Sequence, residues 1–278
     1  MTILPQLPLE VMMHICDIVA DNDDSATLKN CALASSRLSR ICQRHLFAKV
    51  ALEFHTYDEA DGLPNPLRRL EMALDVHPEL GTYIKSLSIQ FDGWYDYPSV
   101  VSILPRCTQV ATLHLSGDDM YTAEDPLWST ALPTPTREAL ESLLHSPTLT
   151  EASIEAFKLP ISTLFSGCHT SLKSLTIICE GKTPENLQKG MVGPPILLHH
   201  LNVEPNTLFQ LLSAEREDGQ AVFDFSQLKE LSIRFRADHD HVNSVNMLLR
   251  GGAPVEKLTL LFDSKLVYLY HWIWSLTR

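Results

Sequence analysis

The hexapeptide LKSLTI, residues 172–177, carries the pattern that decides the fold of this chain. Its spacing, L-x-x-L-x-[ILV], ends in an apolar–polar–apolar alternation that is typical of a β-strand with one buried face. The pattern occurs seven times, with its second apolar position at residues 87, 113, 152, 175, 201, 231 and 258. The steps between these positions are 26, 39, 23, 26, 30 and 27 residues, so the chain is internally repetitive.

The segments between these units have the apolar spacing of helices, at residues 98–104, 136–144, 207–214 and 242–249, and residues 67–80 form a further helix that Pro78 ends. Five of the six steps lie at or near the 20–29 residues of leucine-rich repeats, and the chain resembles an irregular array of that family. Stacked strand-plus-helix units bury one continuous core, whereas a single unit cannot. We therefore expect an α/β solenoid with a parallel sheet on one face and helices on the other. The alternative is an α/β domain whose strands merely look alike.

Two segments interrupt the repeats. Residues 117–136 account for the long step and contain Pro126, Pro133 and Pro135 among polar residues, which predicts an exposed insertion. Residues 181–195 form a second predicted loop. The apolar segment 266–276 after the seventh unit is compatible with either a cap or a shortened array.

The first 52 residues have a different pattern, which predicts three short helices. Pro8 suits a first helical turn, and an apolar face follows. The polar run DNDD, residues 21–24, ends this helix, and Asp24 or Ser25 can cap a second one. Ser35 or Ser36 can begin a third helix. The apolar face of the first helix consists of Leu9, Met12, Met13, Cys16 and Val19.

This stretch resembles the F-box family, which opens with L-P-x-E-[ILV] and here reads LPLEV at residues 7–11. Ser36 and Leu38 depart from the Arg and the aromatic residue that are usual in the family. The further matching positions are Leu28, Cys31, Leu33, Ala34, Ile41, Cys42, Leu46, Phe47, Val50 and Leu52. The resemblance implies an F-box at residues 1–52, a linker at 53–66 and a leucine-rich-repeat-like domain at 67–278. The alternative is an ordinary helical cap on the domain that follows.

The two resemblances together are typical of fungal F-box proteins. They imply a non-catalytic substrate adaptor of an SCF-type cullin–RING ubiquitin ligase, whose F-box binds the linker subunit of the ligase. A leucine-rich-repeat scaffold without a role in ubiquitin ligation is the alternative function. The residues expected at the linker-subunit interface are Leu7, Pro8, Leu9, Glu10, Val11, Ile15, Leu33 and Leu38.

The polar residues of the repeat strands are expected to form the surface that binds a protein substrate, which the sequence does not identify. In a stacked array these residues lie about 4.8 Å from one strand to the next. They are Gln90, His114, Ser116, Glu155, Thr176, Asn202, Glu204, Ser232, Arg234 and Thr259.

The net charge of −12 bears on the class of partner. Residues 1–50 are balanced in charge, so the whole acidic excess lies in residues 51–278, which argues against a nucleic-acid partner. The six cysteines form no C-x-x-C pair and are expected to be reduced core residues. No signal peptide and no apolar run of membrane-spanning length occurs, so we expect a cytoplasmic or nuclear protein without a membrane partner.

No sequence motif of an enzyme occurs, and we predict no catalytic residue, no metal site and no cofactor. The run DHDH, residues 238–241, is the densest group of potential metal ligands and leaves a metal-dependent hydrolase as a third hypothesis. Its polar surroundings after a strand favour a solvated loop. His199 and His200 are expected to face opposite sides of a strand, one towards the core and one towards solvent.

Overall fold

The computed structural model describes residues 8–22, 24–53, 66–91, 98–117, 132–155, 161–165, 168–179, 194–215, 219–235 and 242–262. Within them the fold is α/β and its main sheet has eight parallel strands. The strands are β1 Lys49–Glu53, β2 Ser86–Phe91, β3 Thr112–Gly117, β4 Glu151–Glu155, β5 Ser174–Ile178, β7 His200–Val203, β9 Glu230–Phe235 and β10 Lys257–Phe262. A small second sheet pairs β6 Ile196–Leu197 with β8 Phe223–Asp224.

Each strand of the main sheet pairs with the next one along the chain, and the register never slips. The second apolar position of the repeat therefore forms a continuous row across the sheet. From Leu87 to Leu231 the residues of this row are almost inaccessible to solvent. The full row is Val50, Leu87, Leu113, Ala152, Leu175, Leu201, Leu231 and Leu258.

Every strand of the main sheet after β1 begins at the same kind of backbone turn. The carbonyl oxygen of Ala48 accepts hydrogen bonds from the N–H groups of both Lys85 and Ser86, at 2.9 Å each. The same double acceptance recurs at Lys85, Ala111, Thr150, Lys173, His199 and Lys229. This repeated turn fixes the register, because it sets where each strand begins relative to its neighbour.

The core lies between the inner face of the sheet and a layer of helices. These helices are α4 Pro66–Val76, α5 Pro98–Ile103, α6 Thr134–Leu144, α7 Ile161–Phe165, α8 Pro205–Ser213 and α9 Val242–Arg250. Prolines stand at the start of four of them, where the missing N–H costs nothing. Side chains also join neighbouring helices: the hydroxyls of Ser99 and Ser102 in α5 donate to the Glu71 carboxylate of α4, at 2.8 and 2.6 Å.

Three N-terminal helices precede the sheet: α1 Leu9–Asp21, α2 Ser25–Ala34 and α3 Ser36–Leu46. Asp24, one of the two caps that the sequence allowed, caps α2 by accepting a hydrogen bond from the Thr27 N–H at 2.9 Å. The three helices have a small core of their own around Cys16, Leu28 and Cys42. All six cysteines are described and are free thiols, and five of them are buried.

The structure departs from the expectations at two places in the sheet. Strand β1 adds an eighth unit, and Phe47, Val50 and Leu52 pack in the large core, although they were assigned to the N-terminal helical unit. The boundary between the two cores therefore lies between Leu46 and Phe47, whereas the sequence places the end of the N-terminal unit at residue 52. At the other edge Leu258 is 40% exposed, because β10 has no further described strand beside it.

The predicted helices agree with the structure within a few residues at each end. Pro78 follows α4 as predicted and begins a 3₁₀ helix, Pro78–Tyr83. Most of the predicted linker, of the 117–136 insertion and of the 181–195 loop lies outside the described residues, as does the segment 266–276.

Candidate protein-binding surfaces

Helix α1 has apolar side chains on two sides, and only one of them is buried. Cys16 is buried, and Val19 and Ala20 pack beside it against α2 and α3. Val11, Ile15 and Ile18 lie on the opposite side and are 42%, 44% and 48% exposed. A helix of a globular protein usually has one apolar stripe of about 100° and a polar face opposite. We call Val11, Ile15 and Ile18 the α1 outer stripe.

The inner side of α1 is held by closely packed thiols. The Sγ atoms of Cys16 and Cys42 are 3.6 Å apart, which joins α1 to α3. Burial, followed by the neighbouring thiols, raises the pKa of Cys42 to about 12. This thiol is therefore neutral at physiological pH and acts as an apolar core group.

The residues predicted to bind a linker subunit are mostly accessible. Pro8, Leu9 and Glu10 are exposed at the start of α1, like Val11 and Ile15. Leu33, near the end of α2, is 87% exposed, which is unusual for a leucine. Leu38 is different, because it is half-buried against the N-terminal core and offers only part of its side chain. Leu7 lies outside the described residues.

The outward face of the main sheet has three parallel rows of side chains, two of them mainly polar and the third mixed. The central row is neutral and carries mostly small side chains: Ala51, Ser88, His114, Ser153, Thr176, Asn202, Ser232 and Thr259. The row nearer the strand starts is mixed in charge: Lys49, Ser86, Thr112, Glu151, Ser174, His200, Glu230 and Lys257. The third row, nearer the strand ends, includes the polar Glu53, Gln90, Ser116, Glu155 and Arg234 and the apolar Ile178 and Leu261.

Nine of the ten predicted substrate-binding residues lie on this outward face, and all nine are exposed or half-buried. Glu204 is the exception and corrects the prediction, since its residue is only 7% exposed. The physical reason is local: β7 ends at Val203, Glu204 is the N-cap of α8, and Pro205 begins that helix. The strand alternation therefore does not extend to residue 204.

A shallow depression of about 190 Å³ crosses β5, β7, β9 and β10 on the outward face. Thr176, Asn202, Ser232 and Thr259 of the central row line it, together with the adjoining Ser174, His200, Glu230 and Lys257. Drug-sized ligands usually occupy pockets of about 300–1,000 Å³. This depression is smaller and is a feature of a broad polar surface.

Neither His199 nor His200 is buried in the core, which corrects the expectation that one of them would face it. His199 is half-buried and His200 is exposed. The reason is the repeated turn at the strand starts, since His199 belongs to that turn and the alternation begins only at His200. Burial, together with the neighbouring Lys173, Lys229 and His200, lowers the pKa of His199.

Two features of these surfaces were missed by sequence reasoning. The α1 outer stripe could have been found, because the apolar residues of α1 cover more of the helix than one buried face needs. The closeness of Lys173, His199 and Lys229 could also have been found, because all three occupy the second position of the L-x-x-L-x-[ILV] pattern in successive units. The DHDH run, residues 238–241, lies outside the described residues.

Among the described residues, no three His, Cys, Asp or Glu side chains form a group that could hold a metal ion. The helices of the described part are all too short or too polar to cross a bilayer. Comparison of the chain with protein-family models and with curated proteins finds no match.

Proposed function

We propose that this protein is a substrate-recognition adaptor of an SCF-type cullin–RING ubiquitin ligase. Its N-terminal helices would bind the linker subunit, and the outward face of its sheet would bind a protein substrate. The observation that carries the proposal is the α1 outer stripe, an exposed apolar surface that begins at Val11, the last residue of the L-P-x-E-[ILV] match at residues 7–11.

The energetics of the N-terminal helices favour a partner at this surface. Burying a Val or Ile side chain completely is worth roughly 1.5–3 kcal/mol relative to full exposure. Ile15 is 44% exposed, so a partner that covers it gains about 0.7–1.3 kcal/mol. Val11 and Ile18 offer similar amounts, and a small three-helix core has little stability to spare.

The character of the sheet supports a protein as the second partner. The central row presents small polar groups across eight strands, with charges on both sides. A broad surface of this kind suits hydrogen bonding with another protein, whereas a small molecule would need a deeper apolar pocket.

A binding titration of the purified full chain with the linker subunit tests the proposal. The double substitution Val11→Asp and Ile15→Asp places two charges on the α1 outer stripe and should weaken binding at least about tenfold. Leu33→Asp forms a separate arm of the experiment. Met72→Asp is the matched control, because Met72 is 53% exposed on α4, outside the N-terminal helices.

Thermal unfolding by circular dichroism should show that all these variants fold, since the changed side chains are exposed. Unchanged affinity in the α1 variants, or absence of binding by the wild-type chain, would reject the adaptor role. The protein would then be better described as a repeat scaffold without a role in ubiquitin ligation.

A further inference from the structure

A row of basic side chains lies at the starts of three neighbouring strands. Lys173, His199 and Lys229 directly precede β5, β7 and β9, whose first residues Ser174, His200 and Glu230 pair with one another. The backbone confirms the alignment: the Lys173 carbonyl accepts from the His199 N–H at 2.8 Å, and the His199 carbonyl accepts from the Lys229 N–H at 2.9 Å. Strand spacing therefore places the three backbones within about 10 Å. We call these three residues the basic row.

The basic row brings two ammonium groups close to the His199 ring. The ammonium groups of Lys173 and Lys229 add to burial in opposing protonation of His199. Lys173 donates one hydrogen bond, from Nζ to the Thr170 carbonyl at 2.9 Å, and an ammonium group has two further donors. An anion bound over the row would relieve the repulsion and accept these remaining hydrogen bonds.

The acidic groups around the basic row restrict what kind of anion fits. Glu230 contacts both Lys257 Nζ, at 3.4 Å, and His200 Nδ1, at 3.7 Å. Glu256 lies on the β10 side and Glu151 on the β4 side, and both are exposed. The positive stretch is thus short and bounded by carboxylates. A continuous phosphate backbone would meet those carboxylates, whereas a short acidic segment of a polypeptide would not.

The depression beside the basic row offers space for a peptide backbone. Asn202, a half-buried residue, lines it and offers its side-chain amide to an extended segment. The hydroxyls of Thr176 and Ser232, on the two neighbouring strands, supply further polar contacts.

We propose that the basic row binds a short run of Asp or Glu carboxylates in a protein partner, whose backbone lies across the adjoining depression. This inference deepens the proposed function and rests on it in so far as the sheet is the substrate-binding face. Carboxylates about 5–10 Å apart match the strand spacing.

The test uses the full chain and a fluorescein-labelled hexaglutamate peptide, with hexaglutamine as the neutral probe, in fluorescence anisotropy titrations. Replacing Lys173 and Lys229 together by Gln should weaken hexaglutamate binding about threefold to thirtyfold, the range expected for two exposed ion pairs. Lys85→Gln is the matched control, because Lys85 directly precedes β2 in the same register position but lies between Ala48 and Ala111. We expect that variant to bind like the wild type.

Proton linkage gives an independent readout at His199. A bound carboxylate raises the pKa of His199, so binding takes up a proton and the affinity should increase as the pH falls from 8 to 6. In the His199→Gln variant this increase should be smaller. The charged neighbours Glu151, Glu230, Glu256, Lys257 and His200 remain in both proteins, so the difference isolates His199.

Equal binding of hexaglutamate and hexaglutamine, or the same loss in the Lys85→Gln variant, would overturn the inference. Tighter binding of a ten-nucleotide oligothymidine through the same lysines would also overturn it, in favour of a nucleic acid. Binding of hexaglutamate through Lys173 and Lys229 by a chain that fails to bind the linker subunit would support the inference and reject only the adaptor role.

Discussion

Two leucines in one row of the sheet allow a quantitative test of the repeat register. Leu231 and Leu258 pair directly across β9 and β10, yet Leu231 is 1% exposed and Leu258 is 40% exposed. We predict that Leu231→Ala and Leu258→Ala, although chemically identical, differ clearly in their cost to stability. Any difference must come from the surroundings of each side chain.

The expected costs follow from burial. Leu→Ala removes three carbons, worth about 0.8 kcal/mol each when fully buried, or about 2.4 kcal/mol. At Leu231 an enclosed cavity adds to this, so the loss should reach roughly 3–5 kcal/mol. Leu258 is only about 60% buried, so the lost transfer free energy falls to about 1.4 kcal/mol. Truncation of this side chain at the sheet edge leaves no enclosed cavity that would add to the loss.

Urea unfolding followed by circular dichroism measures both losses, provided that the slope with denaturant stays unchanged. Leu175→Ala should resemble Leu231→Ala, since Leu175 is also fully buried in this row. The outward neighbours Ser174 and Ser232 should tolerate alanine with changes within about 0.5 kcal/mol. Equal losses at Leu231 and Leu258, or a loss at Leu231 no larger than at Ser232, would refute the register.

Three further predictions concern other parts of the structure. Gly81→Ala should cost about 1–3 kcal/mol in urea unfolding, because the added Cβ would lie 2.3 Å from the Arg106 carbonyl oxygen; a neutral result would mean that this close approach is wrong. Two serine hydroxyls of α5, the largest cause, lower the pKa of Glu71 below its ordinary 4.5. The stabilisation by Glu71 should therefore be present above about pH 4.5 and be lost at lower pH, so Glu71→Gln should cost about 1–2 kcal/mol at pH 7 and less at pH 3. Arg234→Glu reverses a charge on the outward face, and it should reduce recovery of substrate from cells at least about threefold in quantitative mass spectrometry while linker-subunit recovery stays constant; equal recovery of both would exclude this part of the face.

The periodic part of the fold could be predicted from sequence because its signal is local. The six residues of a unit such as LKSLTI are enough to predict which side chains face the core. Leu175 and Ile177 are buried there, as this pattern predicts. The helix start at Pro98 was predicted from sequence, whereas the helices predicted from residues 136 and 207 begin two residues earlier, at Thr134 and Pro205.

Predictions failed where strand alternation was extended into a residue that belongs to a helix start or a turn. Strand alternation placed Glu204 outside, but a helix begins there and buries it. The same alternation divided His199 and His200 between the two faces, but the turn before β7 leaves neither of them buried in the core. Strand β1 was not predicted as a repeat, because its unit begins with Phe47, whereas the seven recognised units begin with Leu, Ile or Val.

The sequence by itself determined the parallel α/β architecture of the repeats and the three N-terminal helices, because burial of apolar side chains at fixed spacing acts on each segment separately. Only the tertiary structure decided which apolar residues stay exposed, as in the α1 outer stripe, and that the units stack without a slip in register. Lys173, His199 and Lys229 are 26 and 30 residues apart in the chain and adjacent in the sheet. Their closeness depends on how whole units stack, and a stacking contact has no signature within any one unit.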